Sequence, residues 1–190
     1  MVSLKNIICR IKANLIYKYT FLRFGSKSIL RRPLEIRDKK SISIGNGVYI
    51  AEQIWLLATK TGKRCEKIFI GNGVQIGHYA HIVANERVCI ENDVLIADKV
   101  FISDCTHNYE DIYMPIYKQG ISNIKRVTIG EKSWIGENVC ICGASVGKHC
   151  VIGANSVVTK DIPDYSIAVG SPAKVIKRYD WKKNQWVREV

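Results

Sequence analysis

The 190-residue chain predicts an all-β fold, a parallel β-helix, and three observations carry that reading. Aliphatic residues recur at a nearly fixed step of six: Ile44, Ile50, Leu56; Ile70, Ile76, Ile82; Ile90, Ile96, Ile102; Ile129, Ile135, Ile141; and Val146, Ile152, Val158. A small residue follows most of them, as in Ile44-Gly45, Ile50-Ala51, Ile70-Gly71 and Ile102-Ser103. Four residues after many of them stands a second inward candidate, such as Val48, Val74, Ala80, Val94, Ser133 and Ser156. Ile, Leu and Val fill 53 of 190 positions, about one in four, so fifteen matches in phase are not chance. An internal repeat of this kind outranks local propensity.

A helix repeats every 3.6 residues and a single-faced strand every 2, so a step of six fits neither. Six residues make one short strand plus a corner. Three such units close a triangular coil, and coils stack at the spacing of paired strands, about 4.8 Å. Five coils account for the fifteen positions. The small residue after each aliphatic suits the corner, where a large side chain would crowd the turn. Strands of an ordinary sandwich would not keep this phase.

Taken in order, the first forty residues stand apart. They hold eleven Lys or Arg against Glu35 and Asp38, a net +9 of the chain's +12. Ile7, Ile8, Ile11, Leu15, Ile16, Tyr19 and Leu22 keep helical spacing, which predicts an amphipathic helix over 4–22. The expected organisation is a basic helical segment at 1–40, the β-helix at 41–165 with an excursion at 107–126, and a short C-terminal tail at 166–190. The helix has two readings: a cover for the open edge of the first coil, or a docking element for an anionic membrane surface through residues 1–40. No nucleic-acid motif is present, and none is expected to bind. No apolar stretch reaches the roughly 20 residues of a membrane span, and no signal peptide is evident. Seven cysteines without finger-like spacing fit a reducing compartment. The expected location is the cytoplasm, with a peripheral place at the inner face of the membrane as its extension.

Function is expected where the repeat breaks. The phase is lost between Leu57 and Phe69, and two extra residues appear near Asn85. The largest break runs from His107 to Arg126, directly after Ser103-Asp104-Cys105-Thr106. His107 leads the candidates, because an imidazole takes a proton at neutral pH. A carboxylate among Asp104, Glu110 and Asp111 could fix its tautomer. The plain alternative is an exposed corner histidine with no task.

The runs Ile129-Gly-Glu-Lys-Ser-Trp134, Ile135-Gly-Glu-Asn-Val-Cys140 and Ile152-Gly-Ala-Asn-Ser-Val157 carry a family resemblance. So do Asn155-Ser-Val-Val-Thr-Lys-Asp-Ile-Pro163 and Ala168-Val-Gly-Ser-Pro-Ala-Lys-Val-Ile176. Over roughly residues 42–178 the chain resembles the hexapeptide-repeat acyltransferases. The resemblance implies a left-handed β-helix, a homotrimer, acetyl-CoA as donor and no metal. Asp104-x-x-His107-x-Tyr109-x-Asp111, with Pro115-Ile116 and Gln119-Gly120, is similar to the active-site stretch of the polysaccharide and sugar O-acetyltransferases. It implies a carbohydrate acceptor and His107 as general base, with Cys105 where the family has a first histidine. A Cys105 nucleophile is the lesser alternative. Asn85 and Asp104 are the candidates for holding the acceptor. Trp134, Ala154, Thr159, Lys160, Lys174 and Lys177 stand at the family's coenzyme A positions. The step from Ile141 to Val146 is five, not six, so the corner at Gly143-Ala144 departs from the family pattern. His78, His81 and His149 lack the spacing of the zinc-binding branch. The expected activity is O-acetylation of a sugar hydroxyl in surface polysaccharide biosynthesis. The alternatives are N-acetylation of an amino sugar nucleotide and a non-catalytic β-helix scaffold.

Overall fold

The computed structural model describes residues 13–59 and 65–189. All fifteen in-phase aliphatic residues point inward, and none is more than 1% exposed. The second inward set is as deeply buried, Ser133 and Ser156 included. Each buried aliphatic side chain contributes about 1.5–3 kcal/mol, so this column is the main source of stability.

Three parallel sheets form the faces of a left-handed β-helix. The first stacks Arg23–Phe24, Ile42–Ile44, Ile68–Ile70, Val88–Ile90 and Val127–Ile129. The second stacks Ile29–Leu30, Tyr49–Ile50, Gln75–Ile76, Leu95–Ile96, Trp134–Ile135 and Val151–Ile152. The third stacks Glu35–Arg37, Trp55–Ala58, His81–Ala84, Phe101–Ser103, Cys140–Cys142 and Val157–Val158. The register places like on like: Ile44 on Ile70, Ile70 on Ile90, and Ile102 on Ile141.

Two of the three corners are regular. From the first sheet to the second, and from the second to the third, the inward residues are always six apart. From Ile44 onward, the third residue after each in-phase aliphatic at these two corners takes a left-handed φ, as at Gly47 (65°), Asp93 (57°), Lys132 (59°) and Asn138 (57°). Coil stacking also dictates the small residue. A Cβ on Gly45 would sit 2.6 Å from the Gly71 carbonyl, and one on Gly130 would sit 2.5 Å from that of Gly147. The corner from the third sheet back to the first behaves differently. Its steps are 8 (Ile36 to Ile44), 14 (Leu56 to Ile70), 8 (Ile82 to Ile90), 27 (Ile102 to Ile129), 5 (Ile141 to Val146) and 4 (Val158 to Ile162). All extra chain therefore leaves the prism along one edge.

Three expectations need correction. Residues 23–37, placed in the helical segment by sequence, form a full coil: Phe24 pairs with Ile44, Leu30 with Ile50, and Ile36 with Leu56. Arg23, Arg31 and Arg37 thus decorate a β-coil, and Arg31 pairs with Glu52 at 2.9 Å. The charge of this stretch belongs to the prism and no longer argues for a membrane-docking helix.

The second correction concerns the helix itself. Its residues 4–12 lie outside the described residues; the described part is a π-helical turn, Ala13–Tyr17, followed by Lys18–Thr20. Tyr17 and Phe21 are buried, while Leu15, Ile16 and Tyr19 face solvent. A π turn is wider than an α turn, which rotates the apolar face from where a 3.6 period puts it. The rings of Tyr17, Phe21 and Phe24 pack 5.3–5.4 Å apart over the first coil.

Third, residues 166–189 are sheet, not tail. Ser166–Val169 adds a parallel strand to the second sheet, and Lys174–Asp180 and Gln185–Arg188 continue it antiparallel. No helix among the described residues is long and apolar enough to cross a membrane.

Candidate active site

The excursion leaves the third sheet as Cys105–His107 and returns as Ile121–Asn123, antiparallel. Cys105 faces Asn123, Thr106 faces Ser122, and His107 faces Ile121. Residues directly opposed in such a pair share one face, with Cβ atoms about 4.5–5.5 Å apart. One face of the ribbon therefore carries Cys105, His107, Ile121 and Asn123 together. Gln119 braces the tip: its Nε2 donates to the carbonyls of Asp111 and Met114, each at 2.8 Å, and its Oε1 accepts from the Asp111 N–H at 3.1 Å.

His107 is exposed, and its ring makes no hydrogen bond among the described residues. The carboxylate expected to orient it is not supplied by this loop. Glu110 accepts from the Tyr109 N–H (3.0 Å) and Asp111 from the Tyr113 N–H (2.8 Å).

Asp104 is fully buried. Its Oδ1 accepts from the Asn85 N–H at 2.7 Å, and its Oδ2 accepts from those of Glu86 (2.7 Å) and Arg87 (2.6 Å). This overturns the expectation that Asp104 holds the acceptor. Its carboxylate faces inward and caps three amides of the bulge one coil earlier. The Asn85 side chain is engaged as well. Its Nδ2 donates to Asn123 Oδ1 at 2.6 Å, and its Oδ1 accepts from Thr59 Oγ1 at 2.6 Å. Asn85 thus ties the bulge to the hairpin and keeps one further Nδ2–H of its amide.

Lys67, which sequence reasoning missed, completes this cluster. It is 2% exposed, and its ammonium donates to Thr59 Oγ1 (2.8 Å) and to the Asn85 carbonyl (2.7 Å). Beside it opens a cavity of about 560 Å³ lined by Arg37, Asp38, Leu57, Thr59 and Ile121. Ile121, which lines this cavity, is the cross-strand neighbour of His107 on the same face of the ribbon.

Burial works against thiolate formation at two cysteines of the same edge, Cys105 and Cys142. Burial pushes the Cys105 thiol up, against a partial offset from its hydrogen bond to Ser103. Cys142 is pushed up to about 12, first by burial and then by its contact with Cys140, whose sulfur lies 3.5 Å away.

The six residues expected at coenzyme A are spread over the second sheet, the corner after it and the variable edge. Trp134, Val151, Ile167 and Lys177 form one outward column across the second sheet. Lys174 begins the same C-terminal strand, and Ala154 is exposed at the corner between the second and third sheets. Thr159 and Lys160 are exposed on the variable edge. The next residue, Asp161, pairs with Lys125 at the root of the excursion at 2.5 Å. The Lys125 hydrogen bond, helped by the Ser145 N–H, holds the Asp161 carboxyl below its usual range. The short corner fits the same root. Gly143 (φ 58°) lies against Ile124, where a Cβ would come within 2.2 Å of Cγ2.

Residues 126–160 match the family model for the hexapeptide repeat of succinyl-transferase. The chain is 37% identical, over 83% of its length and 82% of the other's, to a protein of Escherichia coli K12 named as a lipopolysaccharide biosynthesis O-acetyl transferase, WbbJ. It is 32% identical to the galactoside O-acetyltransferase of the same organism, over 76% of this chain and 70% of that one. The crystal structure of AntD, an N-acyltransferase from Bacillus cereus, in complex with dTDP and 3-hydroxybutyryl-CoA, superposes with a TM-score of 0.73. That likeness covers 90% of this chain and 89% of AntD at 21% identity, and it speaks to the fold. The chain belongs to the hexapeptide-repeat acetyltransferases and is an acyl-transferring enzyme.

Proposed function

We propose that the protein moves an acetyl group from acetyl-CoA to a sugar hydroxyl in the assembly of a surface polysaccharide, with His107 as general base. One observation carries the reading: His107, whose ring has no hydrogen-bond partner among the described residues, pairs across the ribbon with Ile121, a lining residue of the Thr59–Ile121 cavity. The acceptor hydroxyl enters that cavity. His107 takes its proton as the oxygen attacks the thioester carbonyl. A C–O bond forms, the C–S bond breaks, and the imidazolium returns the proton to the departing thiolate. A base so placed contributes about 10²–10⁴ in rate. The sugar is supported by relatives named for lipopolysaccharide and galactoside chemistry.

The working unit is a homotrimer. In a triangular prism the variable edge lies opposite the second sheet. The Trp134 column can therefore meet His107 of a neighbouring copy, not its own. A closed three-fold ring sets each chain's edge against the next chain's face. The excursion supports this, since Tyr109, Ile112, Tyr113, Ile116 and Tyr117 are all more than half exposed and call for a covering surface. Acetyl-CoA lies in that groove, between Trp134 and Lys177 of one copy and Thr159 and Lys160 of the next. Lys160 and Lys174 meet its phosphates.

The test is acetyl-CoA consumption by wild type and His107→Ala against a panel of sugars and amino sugar nucleotides. Turnover should fall by about a hundredfold or more with the far-UV spectrum unchanged. A folded His107→Ala variant with near-normal turnover would end this reading, and an amide product would favour the N-acetyl alternative. Lys160→Ala/Lys174→Ala should weaken acetyl-CoA binding in calorimetry, at about 1.5–3 kcal/mol per lost charge-assisted contact. Unchanged donor affinity would place the phosphates elsewhere.

A further inference from the structure

We propose that Lys67 is a positioning residue: its buried ammonium, acting through Thr59 and Asn85, sets the hairpin that carries His107. The coil itself does not need a cation there. Lys67 occupies the place taken one coil earlier by Ser41, since Ile68 stacks on Ile42 and the Lys67 N–H donates to the Ser41 carbonyl at 2.8 Å. A buried charge is costly unless its partners compensate it, so the purpose of Lys67 is to be read from those partners.

The hydrogen bonds have a fixed sense. An ammonium only donates, so Lys67 occupies a lone pair of Thr59 Oγ1 (2.8 Å). The Thr59 hydroxyl sends its own proton to Asn85 Oδ1 (2.6 Å), the nearer of its two acceptors, the other being the Asn85 carbonyl at 3.4 Å. That contact makes Oδ1 the acceptor end of the Asn85 amide and turns Nδ2 toward Asn123 Oδ1 (2.6 Å). Asn123 stands opposite Cys105 on the ribbon face that also bears His107. Lys67 holds the Asn85–Glu86 peptide by its carbonyl (2.7 Å), while Asp104 holds the same peptide by the Glu86 N–H (2.7 Å). Without the ammonium, Thr59 can rotate, the Asn85 amide loses its preferred sense, and the return strand loses its tie.

The catalytic consequence rests on His107 being the base; the positioning does not, and the experiment separates the two. Amide hydrogen exchange is followed in wild type, Lys67→Met, Asn123→Ala and the double variant. In Lys67→Met, residues 104–124 should exchange roughly tenfold faster, the equivalent of one lost hydrogen bond, while His81–Ala84 keep wild-type protection. Asn123→Ala, a change at an exposed side chain, should loosen the same segment, and the double variant should go no further than either single one. On an acceptor turned over by wild type, Lys67→Met should lower kcat with the KM for acetyl-CoA held within about twofold. Unchanged hairpin protection in Lys67→Met overturns the proposal, as does loss of core and hairpin protection together in equal measure. If Lys67→Met fails to fold, an Asn123→Ala hairpin that exchanges as in wild type overturns it too. Full activity of His107→Ala would remove the general base and leave the exchange result standing.

Discussion

At the corner between the first and second sheets, Gly47, Gly73, Asp93, Lys132 and His149 hold the same left-handed backbone position, coil after coil. At the opposite edge no two successive coils are joined alike: a loop after Thr59, a bulge at Asn85, the excursion after Asp104 and a shortened turn at Gly143. The regular corners satisfy their polar groups by stacking like on like, as where the Asn46 N–H donates to Asn72 Oδ1 (2.9 Å) and that of Asn72 to Asn92 Oδ1 (2.8 Å). Among the described residues the variable edge has no such ladder. It satisfies its amides with a buried aspartate and its carbonyls with a buried lysine. Repetition gives stability at low information cost, and departure from it places chemically distinct side chains side by side.

That contrast can be broken in two directions. Ile102→Ala empties a site in the stacked column, where the flanking Ile82 and Ile141 cannot collapse without shifting their own coils. It should cost about 2–5 kcal/mol in denaturant unfolding. A loss under about 1 kcal/mol would mean that the coils slide to fill space. Replacing residues 109–118 with a short Gly-Ser turn should do the reverse. These residues are nearly all exposed, so stability should stay within about 1 kcal/mol while acetyl transfer falls by about a hundredfold or more. A shortened variant that remains active would separate the tip from the site.

The regular corners could be read from sequence because their step never changes, so fifteen positions testified to one number. The first coil was hidden. Phe24, Leu30 and Ile36 do keep a step of six, but an eight-residue corner and flanking arginines detach them from Ile44. His107 was legible as the residue at the largest break. The machinery under it was not. Asp104 reads as a polar neighbour of a base, yet its partners are amides of residues 85–87, a full coil away. Lys67 precedes a strand like any surface lysine, and only the fold reveals the Thr59 and Asn85 oxygens around it.

A smaller effect concerns the third sheet's outer surface. His81 stacks on Trp55 at 4.2 Å, and His81 Nε2 and Trp55 Nε1 are buried without a hydrogen-bond partner. Burial holds the His81 imidazole below its ordinary pKa. Between that lowered value and the unfolded value of about 6.5, the unfolded chain binds more protons. Stability therefore drops as pH falls through this window. His81→Phe keeps the stack and removes the proton, so the Tm difference between pH 7.5 and pH 5 should shrink. Parallel pH profiles for variant and wild type would exclude His81 as a source of acid sensitivity.

The smallest effect tests whether the variable edge contains one reactive group or two. Cys105 lies on the face of His107, and if its thiolate formed readily the edge would hold a nucleophile beside the imidazole. Burial argues against this, raising Cys105 and taking Cys142 to about 12, at which about one thiol in ten thousand is ionised at pH 8. Thiolate is the species that alkylates. Under limiting iodoacetamide at pH 8, mass spectrometry should find exposed Cys65 modified well ahead of Cys105 and Cys142. Labelling should leave the acetyl transfer rate unchanged until Cys105 begins to react. If Cys105 labels as fast as Cys65, the thiol is ionised more readily than its burial implies. A nucleophilic role would then compete with His107, and the comparison of rates in Cys105→Ser and His107→Ala would decide between them.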